Sequence, residues 1–512
     1  MKILSAAQMR EVDRLTIERG IPGLILMENA GSRVVDFLER NFARLSDHDV
    51  AVVCGKGNNG GDGFVVGRQL FTRKLCRRLT VYELFPAETL SGDAAENRKM
   101  LDACGCPVQS VLRDEPNLAT IVVDAVLGTG LKGPATGPSL EAIRKINTWF
   151  PNASKVAVDI PSGLPSDDTK PEGEFVRADW TVTFTAPKKS QVFSGSYGLM
   201  GKLSVFPIGT AAELCSENPA FTLNLTQPSD IGYLFTKRPN DSNKGMYGHV
   251  WVVGGSFGKS GAPAMAGLGS YRTGAGLVTV AIPKSVLTAV AAVRPELMTE
   301  PLGETENGLI RESEADRLLP ILEKMTVLAV GPGLGTGGEV KRLVYRLYVE
   351  PNLPGVFDAD ALNALAGDMP RIEGKVRVLT PHPGEMGRLS GKSTKEVQRD
   401  RLGSAQSFAE RSGATVVLKG DRTVIAFPDG ETWINPSGSP SMATGGTGDI
   451  LTGMIAGAIA QHPDNWKRAV IAAVWLHGRC GELAAERLGE EATLATDLLD
   501  SLPQAINEIR PV

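Results

Sequence analysis

A chain of 512 residues, 42% apolar and 22% charged, is long enough for two or three domains, each with an ample core. Its 54 lysines and arginines against 58 acidic residues leave a net charge of -4, so nothing resembles a basic footprint for nucleic acid. No apolar run approaches bilayer length, and 58 glycines fit a turn-rich α/β enzyme rather than a disordered or fibrous chain.

The opening stretch, MKILSAAQMREVDRLTIERG, reads as an amphipathic helix without the apolar core of a signal peptide. The six cysteines (Cys54, Cys76, Cys104, Cys106, Cys215, Cys480) form no CxxC pair and no zinc spacing. Cys104 and Cys106 stand too close for an ordinary disulfide, so reduced thiols and a cytoplasmic compartment are expected. The five histidines share no ligand-spaced motif. The expected partners are small molecules, with neither nucleic acid nor membrane. A homo-oligomer is compatible with the sequence but not specified by it.

Along the first half, VAVVCGKG reads as a short buried strand, DGFVVGRQLF as a helix and LTVYELF as another strand. TIVVDAVLGTG, SKVAVDIPSG, DWTVTFTAP and GKLSVFPIG repeat a β-branched run ending in turn residues. Strands alternating with helices predict a parallel sheet covered on both faces. Ligands of such sheets bind at the carboxyl ends of the strands. There lie Asn58, Asn59, Gly60, Gly61 and Asp62 in one glycine-asparagine loop. Asp124, the run Gly128, Thr129, Gly130, Leu131, Lys132, Gly133 and Pro134, and Asp159 with Ser162 end two further strands. Ordinary turn chemistry accounts for these residue types. As a set, carboxylates at two strand ends beside an amide loop also make a hard-oxygen cage for an alkali or alkaline-earth ion.

Glu213–Asn243 lacks periodicity and reads as a linker. A second α/β series follows in GHVWVVGGS, GLVTVAIP, TVLAVGPGLG, GVFDADAL, RVLTPHPGE and ATVVLKG, with a late hairpin in VVLKGDRTVIAFPDGETWIN. VVGGSFGKSG invites a P-loop reading, but that motif needs a glycine five places before its Gly-Lys pair. Val253 stands there, so the loop is a residue short. Gly331, Gly333 and Gly335 let main chain approach a flat or charged ligand. Either Asp358 or Asp360 could hold a divalent ion through water, or simply cap the next helix. His382 and Glu385 share a proline-stiffened turn. Lys419 and Gly420 suit a nucleotide-binding turn or a plain hairpin.

ATGGTGDILTGMIAG, from Ala443 to Gly457, places three glycines around Thr447, then Asp449, then small apolar residues. A glycine cluster opening a helix leaves backbone N–H groups free for an anion. With a carboxylate in the first turn, the pattern suits phosphoryl transfer to a hydroxyl. The N–H groups of Gly445 to Gly448 would steady the migrating phosphate while Asp449 takes the proton.

GGTGD with GPGLG, DADALN, TPHPGE and VLKG resembles the ribokinase-like carbohydrate-kinase fold, and within it the NAD(P)HX dehydratase branch, from about Asp230 to the C-terminus. That resemblance implies Asp449 as base, with Lys419, Gly420, Asp421, Arg422, Thr423 and Gly448 on the adenine nucleotide. Ala262, Gly335 or Gly333, and His382 would contact the hydrated cofactor. The first half resembles the NAD(P)HX epimerase family, a Rossmann-like fold. This implies potassium on Asn59, Asp124 and Ser162. It implies a substrate pocket of Asn58 to Asp62, Gly128 to Pro134 and Asp159, with Asp159 transferring a proton as C6 inverts. APKKSQVF departs from the Pro-Lys-x-Gly-Leu-like turn of that family, so the rim near Lys188–Gln191 is expected to differ.

The implied organisation is an epimerase domain over 1–215, a linker or start of the second domain over 216–243, and a dehydratase domain over 225–512. The implied chemistry is epimerisation of R and S NAD(P)HX and dehydration of the S epimer. ADP with magnesium is the implied phosphoryl donor, since the two domains are fused, and AMP and phosphate are the products. The alternatives are a biosynthetic kinase of the hydroxyethylthiazole or hydroxymethylpyrimidine type, and a binding or scaffolding role for the first half.

Overall fold

The computed structural model describes residues 1–110, 118–168, 172–193 and 197–511, with the backbone alone at Tyr197. These divide into two compact units, Met1–Leu223 and Asn224–Val512.

The first unit is built on β1 (Asp49–Cys54), β2 (Arg78–Glu83), β3 (Val108–Gln109), β4 (Ile121–Ala125), β5 (Ser154–Val158), β6 (Trp180–Phe184) and β7 (Lys202–Phe206). Their order is β3-β2-β1-β4-β5-β6-β7, and each neighbouring pair is parallel. The β-branched runs explain this, since β1 and β4 are buried at every position. The order turns back between β1 and β4, and at such a switch point the loops part to leave a crevice. The loops after Cys54 and Ala125 flank it. The helix after β1 begins at Asn58, four residues earlier than its apolar periodicity indicates. The asparagine pair is therefore the first helical turn rather than a loop.

The second sheet is built from β8 (Leu223–Leu225), which begins at the last residue of the first unit, and from β9 (His249–Val253), β10 (Leu277–Pro283), β11 (Met298–Leu302), β12 (Val327–Val330), β13 (Gly355–Phe357), β14 (Arg377–Leu379), β15 (Thr415–Leu418), β16 (Val424–Ala426) and β17 (Thr432–Ile434). The order is β11-β10-β9-β12-β13-β14-β15-β16-β17-β8, with a switch point between β9 and β12. The pairs from β11 to β15 are parallel, whereas β15, β16 and β17 form an antiparallel meander. The expected hairpin thus has a third strand. Within the stretch read as a linker, Glu213–Ser216 is helical and β8 lies at the sheet edge beside β17. Among the described residues no helix is long and apolar enough to cross a membrane.

The helix Thr447–Gln461 packs on the helix Gly261–Thr273 through small residues. A Cβ on Gly453 would lie 1.9 Å from the Ala266 carbonyl oxygen, so the backbones touch where a side chain would stand. The Ser270 hydroxyl donates to Gly453 O at 3.0 Å across the same contact. That is the reason for the small apolar run after Asp449. It seats the glycine-rich N-terminus of this helix above the strand ends.

Candidate active sites

In the first unit a cavity of about 570 Å³ opens at the switch point. Asn58, Asn59, Asp62, Gly128, Thr129, Gly130, Leu131, Lys132 and Asp159 all line it. Gly60, Gly61, Gly133 and Pro134 do not stand on its wall. Gly60 and Gly61 serve packing instead, since added Cβ atoms would lie 1.9 Å from Gly55 O and 2.4 Å from Met27 Sδ. Pro134 packs against Gly173, whose added Cβ would lie 3.0 Å away.

Behind the wall, Asp124 is fully buried at the end of β4. Its carboxylate accepts from the Ser162 hydroxyl at 2.6 Å and the Ser162 N–H at 2.8 Å. Burial nevertheless raises its pKa to about 6. The Leu127 N–H donates to Ser162 Oγ at 2.8 Å, and Asn59 Nδ2 donates to Leu127 O at 3.0 Å. Asn59 Oδ1 is buried without a hydrogen-bond partner. Asn59, Leu127, Ser162 and Asp124 are thus joined by one series of hydrogen bonds that leaves the amide oxygen over.

On the opposite wall Asp159 follows β5 in the left-handed region, at φ 63, a conformation costly for a non-glycine residue. Backbone bonds hold it there, with its N–H donating to Val182 O at 2.7 Å and Gln191 Nε2 donating to its carbonyl at 2.6 Å. Its carboxylate accepts from Thr183 Oγ1 at 2.9 Å and from the Lys188 ammonium. Lys188 is 1% exposed yet lines the cavity. Asp13 and Asp62 complete the group, and burial raises Asp13 to about 6 and Asp62 well above the usual carboxylate range. Lys188 and Asp13 were not singled out as site residues by sequence. The available signal was the first lysine in APKKSQVF, in the turn after a strand.

In the second unit, Ala262 and Gly333 meet at the β9/β12 switch point, where a Cβ on Gly333 would lie 3.3 Å from that of Ala262. The Gly335 N–H donates to Asp360 Oδ2 at 2.8 Å, and the Lys259 ammonium reaches the same oxygen at 3.3 Å. Asp358, after β13, is buried and has both oxygens engaged, by Lys419 Nζ at 2.7 Å and Thr452 Oγ1 at 2.8 Å. Among the described residues no three histidine, cysteine or acidic side chains form a metal-ligating group. His382 caps the helix Pro383–Ser390, its Nδ1 accepting from the N–H groups of Gly384 and Glu385 at 3.0 and 3.4 Å. The ring proton therefore sits on Nε2. Burial, then Lys419 and Arg388, lowers the histidine pKa, so the ring is held neutral.

Lys419, Gly420, Asp421, Arg422, Thr423, Thr447 and Gly448 line a cavity of about 400 Å³. Arg401 Nη2 donates to Leu418 O at 3.2 Å and steadies this turn, while Arg422 Nη1 donates to Pro436 O at 2.9 Å. His477, which also lines it, donates from Nε2 to Thr447 O at 2.9 Å. Burial holds His477 neutral, at about 4, so it anchors the glycine turn rather than titrating. Sequence placed no role on it, because the contact spans 30 residues and two helices.

The chain enters the helix through Gly446 at φ 98, which a side chain would resist. Among the described residues the N–H groups of Gly445 to Asp449 have no backbone acceptor. Asp449 follows directly, and no described side chain donates to its carboxylate. Burial, with Asp358 adding to it, raises its pKa to about 6. Lys419 opposes that rise and Asp360 adds to it, so the acid stands among the groups at the ends of β13 and β15. The row of N–H donors thus runs along the cavity at Thr447 and Gly448, and the Asp449 carboxyl follows in the next residue.

Residues 250–504 match the family model described as NAD(P)H-hydrate dehydratase, and residues 23–190 match that of the YjeF-related protein N-terminus. A bifunctional NAD(P)H-hydrate repair enzyme Nnr of Moorella thermoacetica is 41% identical, over 99% of this chain and 97% of that protein. The same-named protein of Coxiella burnetii is 38% identical over 98% of each. Among solved structures, an ADP/ATP-dependent NAD(P)H-hydrate dehydratase from Bacillus subtilis, co-crystallised with ATP and magnesium, superposes with TM-score 0.51. It is 34% identical and covers 56% of this chain and 99% of its own. Two matched models in one order, and relatives matched along their whole length, agree with the two sites: the chain belongs to the family of bifunctional NAD(P)H-hydrate repair enzymes.

Proposed function

We propose that the chain restores hydrated nicotinamide cofactors in two steps, with an N-terminal epimerase interconverting R and S NAD(P)HX and a C-terminal dehydratase consuming the S epimer with ADP. The observation that carries the second step is the Asp449 carboxylate, which among the described residues has no side-chain donor and directly follows N–H groups without backbone acceptors, the last of them on Gly448 at the cavity wall. Lys419 to Thr423 and Gly448 hold the nucleotide. Ala262, Gly333, Gly335 and His382 hold the hydrated ring.

Asp449 takes the proton of the C6 hydroxyl as its oxygen attacks the terminal phosphorus, and the N–H dipoles at 445–448 stabilise the migrating group. AMP leaves. Phosphate then departs from C6, pushed by the lone pair of the ring nitrogen, and loss of a C5 proton restores the double bond. Hydroxide leaves badly and phosphate leaves well, which is the reason to phosphorylate before dehydrating. Magnesium would arrive with the nucleotide phosphates and offset their charge; Asp358 is engaged at both oxygens, so of the two strand-end acids Asp360, held at Oδ2, would be the one to meet it through water. Supplying pure S epimer with ADP or ATP and magnesium tests this. Reduced-cofactor absorbance returns with one phosphate per turnover, and faster with ADP. No recovery with either nucleotide contradicts it.

A general base works only when ionised, so the raised Asp449 carboxyl sets the acid limb. The dehydration kcat/KM climbs through about pH 6 and then levels. A profile flat from about pH 5 to pH 7 would assign the base elsewhere.

The N-terminal set fits a potassium ion, since the orphaned Asn59 Oδ1 supplies an acceptor that only a cation or donor can satisfy. Asn59, Asp124 and Ser162 would hold it, and the charge would offset the burial of Asp124 and fix the 127–130 loop. Binding to the native state alone stabilises by mass action. Exchanging choline chloride for potassium chloride at constant ionic strength therefore raises the melting temperature of the wild type, but not of Asp124→Asn. Equal shifts in both remove potassium from the site.

A further inference from the structure

The titratable groups around Asp159 exceed what one base needs. Asp13 comes from the helix Ala6–Glu18, Asp62 from the helix Asn58–Thr72, Asp159 from the end of β5, and Lys188 from the turn after β6. All four line the same cavity. The Lys188 ammonium donates to Asp159 Oδ1 and, at 2.8 Å, to Thr183 Oγ1. Thr183 in turn donates to Asp159 at 2.9 Å, closing a triangle. An ammonium has three N–H donors, and two are engaged. Among the described residues the third has no acceptor, although the side chain is 1% exposed and borders the cavity. A lysine serving only to neutralise Asp159 has no need of a cavity wall.

The chemistry of the inverting carbon asks for such a group. C6 of the hydrate bears a hydroxyl and the ring nitrogen, with no carbonyl beside it, so its C–H bond is not acidic. Inversion by proton removal from carbon has no driving force there. A carbinolamine inverts by another route, in which the O–H proton leaves, C6=O forms, and the C6–N1 pair goes to nitrogen as it is protonated. Turning of the open aldehyde and closure on its other face completes the change. The opening needs one base and one acid at neighbouring positions.

We propose that Lys188 is that acid: its ammonium protonates the ring nitrogen while Asp159 takes the hydroxyl proton, and the bond between C6 and N1 breaks. This rests on the epimerase reading of the N-terminal site. The hydrogen bond between the two side chains returns the proton from the Asp159 carboxyl to the Lys188 amine, so the pair is regenerated without outside reagents. Closure is the same sequence reversed. Thr183 keeps ammonium and carboxylate in register.

The test uses the full chain and one pure epimer, with interconversion followed in the absence of nucleotide. Lys188→Gln lowers the enzyme-catalysed kcat at least about 100-fold, the scale of a positioned general acid, with KM changed by no more than about threefold. Lys188→Arg, which keeps a charged donor, retains more activity than the glutamine variant. A cooperative melting transition that still rises with potassium chloride, as in the wild type, reports that the N-terminal unit of each variant is folded. In water labelled with heavy oxygen and deuterium, the wild type inverts C6 while keeping its oxygen and its hydrogen through the first turnover. Near-normal inversion by folded Lys188→Gln overturns the proposal. So does deuterium at C6, or oxygen exchange at every inversion. If Lys188→Gln loses that transition, the arginine variant and the isotope result decide. A wild type that does not interconvert the epimers instead removes the epimerase reading itself.

Discussion

Asp449→Asn is expected to lower the dehydration kcat by about 10³-fold with KM for both substrates nearly unchanged, because the isostere keeps the shape and loses the base. The fold should not suffer. The Asp449 carboxyl is raised from 3.8 to about 6, so its charged form is disfavoured in the folded state. Stability linked to that group is present below the unfolded pKa and is lost as pH rises through about 6. At neutral pH the carboxylate is therefore a net cost, and the amide leaves the melting temperature equal or slightly higher. A rate loss with unchanged or improved stability identifies chemistry. A rate loss accompanied by a large fall in melting temperature would assign Asp449 a structural role.

Asp159→Asn has the second largest expected effect, and it divides the two activities. Epimer interconversion should fall to near the uncatalysed rate, while dehydration of pure S epimer stays within about twofold, since Asp159 belongs to the other unit. Unlike Asp449, Asp159 is ion-paired to a buried lysine. Breaking a buried pair costs on the order of 3–5 kcal/mol when one charge is left alone. The asparagine oxygen still accepts a hydrogen bond, so the loss should be smaller than for alanine and visible as a lowered melting temperature. Preserved interconversion in this variant would support a binding or scaffolding role for the first half.

The parallel strands and the glycine turns at their ends were legible because both are local. A β-branched run such as VAVVC and a turn such as GPGLG declare themselves within a few residues. The turn Lys419–Thr423 and the glycine junction before Asp449 were legible for the same reason, and Lys419 to Thr423 line one cavity with Thr447 and Gly448. The Asp159–Lys188 pair was not. It joins residues 29 apart through a bond that exists only once β5 and β6 lie side by side. Asp13 reaches the same cavity from an N-terminal helix whose own pattern speaks only of amphipathicity. Gly60 and Gly61 show the opposite error, since a loop-like composition concealed a helix whose glycines answer to packing. β8 and β3 are too short to announce themselves, and their pairing partners supply the order that their own residues do not.

The central claim is that one chain carries both steps, and equilibrated R and S hydrate supplied with ADP and magnesium tests it most directly. The wild type should return all of the hydrate to reduced cofactor in a single progress curve, releasing AMP and phosphate in equal amounts. Under the same conditions Asp159→Asn should stall once the S epimer is consumed. A wild-type curve that also stalls there, or a phosphorylated product that persists without regaining absorbance, would contradict the account.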